Sequence, residues 1–371
     1  MTVFTGYPNY PTGKIFDGYD PKMLSEEQID GVRVLRSKLI AVPNTSILKR
    51  LKNALSYFFF GWINTHFQSG KIGKDYDVIL GTSGIVFNAL LARLYAARKH
   101  IPFVFEIRDI TYKQLIATGK SESSLAVKGM KWLELRLCKK AAKVVVVTNG
   151  YKKILAEDGV PADKIEVITN GVDVDRAVDV YDDHKPLVLS YFGTLGISQN
   201  IKDTFPYGEE IRKCVDDFTY LIIGGGAQKE EIKAAASQTT FIKMLPSMSS
   251  AGLEPYYNDT QLSVIALRKS DDFKYTIPSK LFQVMGRGIA VLYIGPDGES
   301  AEIVRKYGAG IALTGTAEED LATLKDFFHR DDWRESLRQM GDHGRKAVEE
   351  HYSRTKLAED YLRILHEAEK K

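Results

Sequence analysis

The stretch DDFKYTIPSKLFQVMGRGIAVLYIGPDGESAEIV, residues 271–304, decides the fold of the chain around it. A Pro-containing loop at 275–279 leads into a short predicted helix at 280–286, which a Gly-Arg-Gly turn ends. An apolar strand at 289–294 follows, then a second turn, and another helix starts at about Glu299. This order of loop, helix, strand, loop and helix predicts one unit of a parallel α/β sheet.

The two helix starts in this stretch indicate where an anion could bind. The first turn of a helix carries unpaired N–H groups and a partial positive charge, so two helix starts on one side could hold a diphosphate. Lys280 could add a full charge, and Gln283, one turn further on, could offer its amide to a ribose hydroxyl. An ordinary βα unit that binds nothing fits the same residues equally well.

Length and composition describe a globular protein of two domains. The chain has 371 residues, of which 44% are hydrophobic and 27% charged. Its net charge of +3 does not call for nucleic acid, and we expect no such partner. The two cysteines, Cys138 and Cys214, and the scattered histidines lack metal-ligand spacing, so we predict neither a disulfide framework nor a metal site.

The sequence predicts a cytoplasmic protein with one segment suited to a membrane surface. No apolar run approaches the ~18 residues of a transmembrane helix, and the N-terminus lacks the layout of a signal peptide. Residues 31–74, however, contain eight Lys or Arg and no Asp or Glu. Within them, 46–67 combine basic, leucine and aromatic residues, as in peripheral helices on the anionic inner face of the cytoplasmic membrane. A core helix with a solvated basic face fits as well.

Short apolar strands alternate with helices over most of the chain, which predicts parallel α/β structure. Such strands are predicted at 77–80, 102–107, 143–147, 187–192, 219–223 and 262–267. The polar, Asp-rich segment 170–185 divides them into two series, so we predict two Rossmann-like domains. The predicted boundaries are 1–169 for the N-terminal domain, 170–185 for the linker, 186–354 for the C-terminal domain and 355–371 for a final helix.

Several motifs resemble one known family. PSKLFQVMGRGIAVLYIGPDGESAEIV at 278–304 is similar to the donor-binding signature of family 4 retaining glycosyltransferases, most of all the bacterial enzymes of O-antigen, capsule and exopolysaccharide synthesis. VVVVTNGYKKIL and GVPADKIEVITNGVD, within 144–173, resemble the segment between its domains, and SYFGTLGISQN at 190–200 resembles a loop of its C-terminal domain. The resemblance implies the GT-B fold, an α/β architecture of two doubly wound domains facing a central cleft, with the final helix returning to the N-terminal domain.

The resemblance also implies a nucleotide-sugar site in the C-terminal domain, with Lys280 as a phosphate contact. The residues it assigns to this site are Gly193, Thr194, Gly196, Gly225, Leu245, Ser279, Lys280, Gln283, Gly298 and Glu299. In the N-terminal domain, Arg108 would contact the transferred sugar or phosphate, and Asp109 would orient a hydroxyl. Arg108, Asp109 and Lys280 are therefore the candidate catalytic residues, although a surface ion pair also accounts for the first two.

The activity implied is transfer of a sugar from a UDP-sugar, with retention at the anomeric carbon, to a lipid-linked saccharide. The favoured sugar is an N-acetylated amino sugar, and the UDP-sugar serves as co-substrate without a metal or other cofactor. Two alternatives stay open: a GT-B-like binding protein without catalysis and, with less support, a sugar-nucleotide epimerase.

This chain departs from the family pattern at three places. Tyr275 and Gln283 stand where the family has two glutamates, so we expect nucleotide binding weakened by about 1–2 kcal/mol through Gln283. Thr194 and Gln199 lie near the place of a basic pair. A first strand, a Gly-rich loop and a first helix are absent before the short strand at 2–5, which predicts a gap in the sheet and suggests a truncated chain or a late start codon.

Overall fold

The computed structural model describes residues 1–10, 12–43, 47–73, 75–84, 86–117, 119–174, 181 and 185–370. The chain forms two units. Unit 1 comprises Met1–Val147, Tyr151–Ile168 and Tyr361–Lys371, and unit 2 comprises Thr148–Gly150 and Thr169–Asp360. Residues 175–180 and 182–184 of the predicted linker lie outside the described residues.

Unit 1 contains two separate sheets. Its strands are β1 (Thr2–Gly6), β2 (Leu24–Ile29), β3 (Val32–Ser37), β4 (Ile79–Ser83), β5 (Phe103–Ile107), β6 (Lys143–Val146) and β7 (Ile165–Val167). Its helices are α1 (Ile47–Phe67), α2 (Ser69–Ile72), α3 (Val86–Lys99), α4 (Thr111–Ala117), α5 (Leu125–Lys140) and most of α6 (Asn149–Glu157). One sheet has the order β1-β3-β2 and the other the all-parallel order β4-β5-β6-β7.

The hairpin of β2 and β3 is an element that we did not predict. Its strands are antiparallel, with Ile29 opposite Val32, so two residues form the turn. Asp30 and Gly31 have φ angles of 49° and 78°. Two successive positive φ values define the type I′ turn that Asp-Gly favours, and this dipeptide was the available signal in the sequence.

The four-stranded sheet holds the main core of unit 1. All four residues of β6 are buried, as expected for a central parallel strand, and α3 and α5 contribute to the same apolar cluster. The final helix, α14 (Arg354–Glu369), ends on this unit. Its Tyr361 hydroxyl donates to Glu106 at 2.7 Å, and its Glu367 pairs with Lys143 at 3.1 Å.

Strands β1 and β4 are the edges of different sheets, and they do not pair with each other among the described residues. Phe4 of β1 and Ile79 of β4 nevertheless pack against one small cluster, formed by Leu35, Ile72 and Tyr95.

Unit 2 is built on one parallel sheet of six strands, in the order β10-β9-β8-β11-β12-β13. The strands are β8 (Leu187–Thr194), β9 (Phe218–Gly225), β10 (Ile242–Pro246), β11 (Leu262–Ala266), β12 (Ala290–Ile294) and β13 (Gly310–Leu313). The helices are α7 (Phe205–Cys214), α8 (Lys229–Ala236), α9 (Ser250–Tyr257), α10 (Ser279–Gly286), α11 (Glu299–Tyr307), α12 (Ala317–Phe328), α13 (Trp333–Ala347) and the first part of α14.

Alternate residues of the central strands of unit 2 enter two different cores. Leu189 and Tyr191 of β8 belong to the cluster shared with α7 and α12, whereas Phe192 belongs to the cluster shared with α10 and α11. The period of two places apolar side chains on both faces of the sheet, and helices cover both. Unit 2 is therefore a doubly wound α/β sheet.

Candidate functional site

The strand order of unit 2 has a switch point beside β8. The chain places β9 and β10 on one side of β8 and then crosses to β11 on the other side. In doubly wound sheets, ligands bind outside the carboxyl ends of the strands at such a point, because the loops there diverge and leave a crevice. Two segments marked by the sequence meet at this edge: the loop that follows β8 and the helix α10 that follows β11.

Gly193, near the end of β8, touches the side chain of Lys280. Its φ angle of 152° is one that residues with a side chain rarely adopt. A Cβ atom at Gly193 would overlap Nζ of Lys280, and one at Gly224 would overlap the carbonyl oxygen of Gly193. Glycine therefore lets the lysine and two strand ends approach one another closely.

Lys280 is held by a tyrosine that sequence reasoning missed. Its Nζ donates to the hydroxyl of Tyr191 at 3.0 Å and lies 4.2 Å from the centre of that ring. The same hydroxyl donates to the carbonyl oxygen of Thr194 at 2.6 Å, so Tyr191 joins the lysine to the loop after β8. In the sequence, Tyr191 is one more aromatic residue in an apolar strand. Its contact with Lys280 becomes visible only in the folded structure.

Burial lowers the pKa of Lys280 to about 8, and no neighbouring charge contributes to the shift. A desolvated ammonium group gains more from an incoming anion than a solvated one does, because less water screens the attraction. An anion such as a phosphate would therefore be attracted to the ammonium group of Lys280 at this position.

Helix α10 begins at Ser279, so Lys280 lies in the first turn of the helix. Its N-cap residue, Pro278, offers no side-chain cap to the first-turn N–H groups, which suits an anion as their partner. Gln283 is half-buried and lies one turn beyond Lys280, on the same side of the helix. Its backbone carbonyl accepts from Arg287 Nη1 at 3.1 Å.

The other predicted residues from β8, β9 and β10 lie at the carboxyl ends of these strands, on the same edge of the sheet. Thr194 lies opposite Gly225 in the register of β8 and β9, and the N–H of Leu195 donates to the carbonyl of Gly225 at 2.9 Å. Leu245 lies opposite Ile223 near the end of β10. Gly196 follows in the loop after β8, where its carbonyl accepts from the N–H of Gln199 at 3.1 Å. The structure therefore brings the residues from three neighbouring strand ends together.

Gly298 and Glu299 follow β12 and start α11. The N–H of Glu299 donates to the carbonyl of Lys274 at 2.9 Å, which ties the loop before α10 to this helix start. The two carboxylate oxygens of Glu299 accept from the N–H groups of Asn149 at 2.9 Å and Gly150 at 2.6 Å. Burial raises the pKa of this carboxyl group despite both hydrogen bonds.

Arg108 and Asp109 belong to unit 1 and follow the carboxyl end of β5. The N–H of Arg108 donates to the hydroxyl of Ser83 at 3.3 Å, and the Tyr151 hydroxyl donates to Asp109 at 3.4 Å. Desolvation raises the pKa of Asp109, and both side chains are exposed.

Glu134 of α5 fixes the backbone just beyond this pair. Its Oε1 accepts from the N–H and the hydroxyl of Thr111, at 3.1 and 2.9 Å, and Thr111 begins α4. The side chain is fully buried, its other oxygen lacks a partner among the described residues, and burial raises its pKa to about 7. Glu134 stands between Leu133 and Leu135 in the sequence, and this apolar setting was the available signal for the contact.

The comparisons with known proteins agree with this architecture. Residues 17–176 match the family model described as Glycosyltransferase Family 4. No curated protein matches the sequence. Among solved structures, the chain is similar to sucrose-phosphate synthase from Thermosynechococcus elongatus, with a TM-score of 0.71 and 15% identity over 98% of this chain and 88% of that one.

Two further structures show the same similarity. HepE of Anabaena, solved in complex with UDP, has a TM-score of 0.60 and 13% identity over 90% of this chain and 86% of that chain. The apo form of the lipopolysaccharide outer core galactosyltransferase WaaB has a TM-score of 0.58 and 14% identity over 98% and 99%. The chain has the GT-B fold. The predicted fold class, α/β with parallel sheets, is confirmed.

Proposed function

We propose that this protein is a glycosyltransferase that binds a UDP-sugar in unit 2 and transfers its sugar to a saccharide acceptor. The observation that carries the proposal is the contact of Lys280 with Gly193 and Tyr191 at the switch point of the sheet. The family match over residues 17–176 and the similarity to a structure that contains UDP support the same conclusion.

Lys280 and the first-turn N–H groups of α10 would neutralise the leaving diphosphate. The bond between the anomeric carbon and a diphosphate oxygen breaks, and negative charge grows on that oxygen. The acceptor oxygen forms its bond on the same face of the sugar, and its proton passes to the leaving diphosphate, so the anomeric configuration is retained. This mechanism relies on a lysine and backbone dipoles and requires no metal or other cofactor.

The remaining residues would position the donor. Backbone N–H groups of the loop from Gly193 to Gly196 would approach the diphosphate, Gln283 would contact the ribose, and Leu245 would contact the base. Glu299 would face the sugar, and each of its carboxylate oxygens retains a lone pair beyond the backbone hydrogen bonds described above. Thr194, Gly225, Ser279 and Gly298 would shape the walls of the same site.

We further propose an N-acetylated amino sugar as the transferred group and a lipid-linked saccharide of bacterial surface polysaccharide synthesis as the acceptor. The similarity to a TarM structure that contains UDP and α-GlcNAc-glycerol supports the amino sugar, and the similarity to WaaB, a lipopolysaccharide outer core galactosyltransferase, supports a role in surface polysaccharide synthesis. In unit 1, Arg108 would contact the transferred sugar or a phosphate, and Asp109 would orient an acceptor hydroxyl.

The test is UDP release from a panel of UDP-sugars, measured with and without undecaprenyl-diphosphate-linked saccharides. We expect acceptor-dependent release from a UDP-N-acetylhexosamine and a product heavier by one sugar residue. Lys280→Met should abolish the release, whereas Lys243→Met, which removes an exposed lysine of β10, should not. UDP binding without release from any donor would favour the non-catalytic GT-B-like alternative.

A further inference from the structure

Several large apolar side chains of helix α1 are exposed to solvent. Leu48 and Phe59 have exposed fractions of 78% and 56%. Together with Leu51, Leu55 and Trp62 they form what we call the α1 face. The side of the helix that packs against unit 1 buries Ala54, Ser56, Gly61, Asn64 and Thr65, and the rings of Tyr57 and Phe58 contact Phe4 and Phe87. A surface helix of a globular protein normally keeps its large apolar residues on the packed side alone, so the exposed residues of the α1 face call for a partner.

The α1 face is one continuous stripe. Its members recur at intervals of three or four residues, or multiples of these, so they align along one side of the helix over roughly 20 Å. Asn64 on the opposite side is fully buried, and its amide donates to Ser37 Oγ at 2.9 Å and to the carbonyl of Met23 at 2.6 Å. The helix is therefore fixed in this orientation by specific contacts.

A groove runs beside the α1 face. It has a volume of about 550 Å³ and is lined by Ile40, Leu48, Leu51, Leu55, Phe59 and Phe60, with Lys52 and Ser56 at its margin. An open, mostly apolar groove on an exposed helix suits a hydrocarbon chain.

Basic side chains lie next to the same surface. Lys49, Arg50 and Lys52 lie in the first turns of α1, and Lys38 Nζ lies 5.6 Å from the centre of the Phe60 ring. The other arginines of this basic segment, at 33 and 36, form ion pairs with Glu26 and Glu27 in the adjacent hairpin. Helix α1 itself contains three Lys or Arg and no Asp or Glu, so the α1 face belongs to a positively charged part of the chain.

We propose that the α1 face docks on an anionic lipid bilayer. Its leucine and aromatic side chains insert among the acyl chains, one of which enters the groove, while the lysines and arginine contact headgroup phosphates. No helix among the described residues has the length and apolarity to cross a bilayer. Charge complementarity favours this partner over a second copy of the chain, because two identical basic surfaces would repel each other.

The test is co-sedimentation of the full chain with vesicles of phosphatidylcholine alone or with 30% phosphatidylglycerol. We expect binding to the anionic vesicles at least tenfold stronger than to the neutral ones, and weaker in high salt. The double variant Leu51→Ser/Phe59→Ser should lose at least tenfold in binding, and Arg50→Gln/Lys52→Gln should lose the preference for anionic lipid.

The matched control is Leu125→Ser/Trp132→Ser on α5, where the exposed fractions are 88% and 62%. It removes a leucine and an aromatic residue from another exposed helix of unit 1 and should not change vesicle binding. Equal loss in the control would overturn the proposal, as would equal binding to neutral vesicles or a dimer, seen by light scattering, that Leu51→Ser/Phe59→Ser dissociates. Vesicle binding needs no UDP-sugar, so the result is independent of the proposed transferase activity.

Discussion

The switch point of unit 2 and the α1 face of unit 1 differ in how far their charged and apolar side chains are exposed to solvent. At the switch point, a half-buried lysine packs against a tyrosine ring and against a glycine whose position has no room for a Cβ atom. On α1, the lysines and arginine are at the surface, and leucine and aromatic side chains lie beside them in solvent.

This difference indicates two kinds of partner. A desolvated, sterically confined cation is suited to a small charged group that must be held in one position. A stripe of exposed apolar residues beside exposed basic side chains suits an extended surface such as a lipid bilayer, which does not require a single binding position. Variants at the switch point should therefore change UDP binding and leave vesicle binding unchanged, and we take them from the largest expected effect to the smallest.

Lys280→Met should weaken UDP binding by roughly 30- to 150-fold, since it removes a charge-assisted contact of about 2–3 kcal/mol. The free energy of unfolding should stay constant or rise, because a buried cation is replaced by an apolar side chain of similar length. Calorimetric titration and denaturant unfolding measure the two quantities. A parallel loss of affinity and stability would mean that Lys280 supports the fold rather than the ligand.

Gly193→Ala should weaken UDP binding by at least tenfold and lower the free energy of unfolding by about 1–3 kcal/mol. Its φ angle is unfavourable for alanine, and the added methyl group displaces Lys280. Gly252→Ala is the matched control within unit 2, because a Cβ there meets only ordinary contacts at 3.4 Å or more inside α9. If both variants bind UDP normally, the loop after β8 does not contact the diphosphate.

Gln283→Glu should strengthen UDP binding by about 1–2 kcal/mol, or five- to thirtyfold, if the residue accepts hydrogen bonds from the ribose. A carboxylate accepts such bonds more strongly than an amide does. Competition between UDP and its 2′,3′-dideoxy analogue measures the effect. Unchanged affinity for UDP would remove Gln283 from the ribose site.

Tyr191→Phe should weaken UDP binding three- to fivefold, because the ring still packs against Lys280 while the hydroxyl that joins Lys280 to Thr194 is lost. One neutral hydrogen bond contributes about 1 kcal/mol. Binding of neutral uridine should be unaffected. Equal weakening for UDP and uridine would show a general distortion of the site instead of a displaced lysine.

Local pattern, together with the family resemblance, predicted which strand ends and loops lie at one edge of the sheet. Alternating apolar strands and helices predicted two Rossmann-like domains, with a helix from about 280, and the resemblance implied that the domains are doubly wound. Such a sheet brings the loops after β8 and β11 to one edge. Lys280 could be selected because it occupies the first turn of a helix at that edge.

Contacts between residues distant in sequence could not be predicted in this way. Tyr191 and Lys280 are 89 residues apart, and nothing in a buried strand marks one tyrosine as the partner of a lysine. The direction of the α1 face was also undetermined, because an apolar stripe on a helix predicts burial as readily as exposure. Only the polar contacts of Asn64 on the opposite side decide between them.

The most direct measurement of the central claim, that charged Lys280 holds the diphosphate, is UDP affinity as a function of pH from 7 to 9.5. Burial lowers the pKa of Lys280 to about 8 in the free protein, and a bound anion favours the charged form. The terminal phosphate of UDP is already ionised over most of this range. Loss of the uracil N3 proton near the upper limit affects the wild type and the Lys280→Met variant equally, so the comparison between them isolates Lys280. The affinity should therefore be highest below pH 8 and fall about tenfold by pH 9. The Lys280→Met variant should show no such fall. A wild-type affinity that is constant up to pH 9.5, or an identical fall in the variant, would contradict the account.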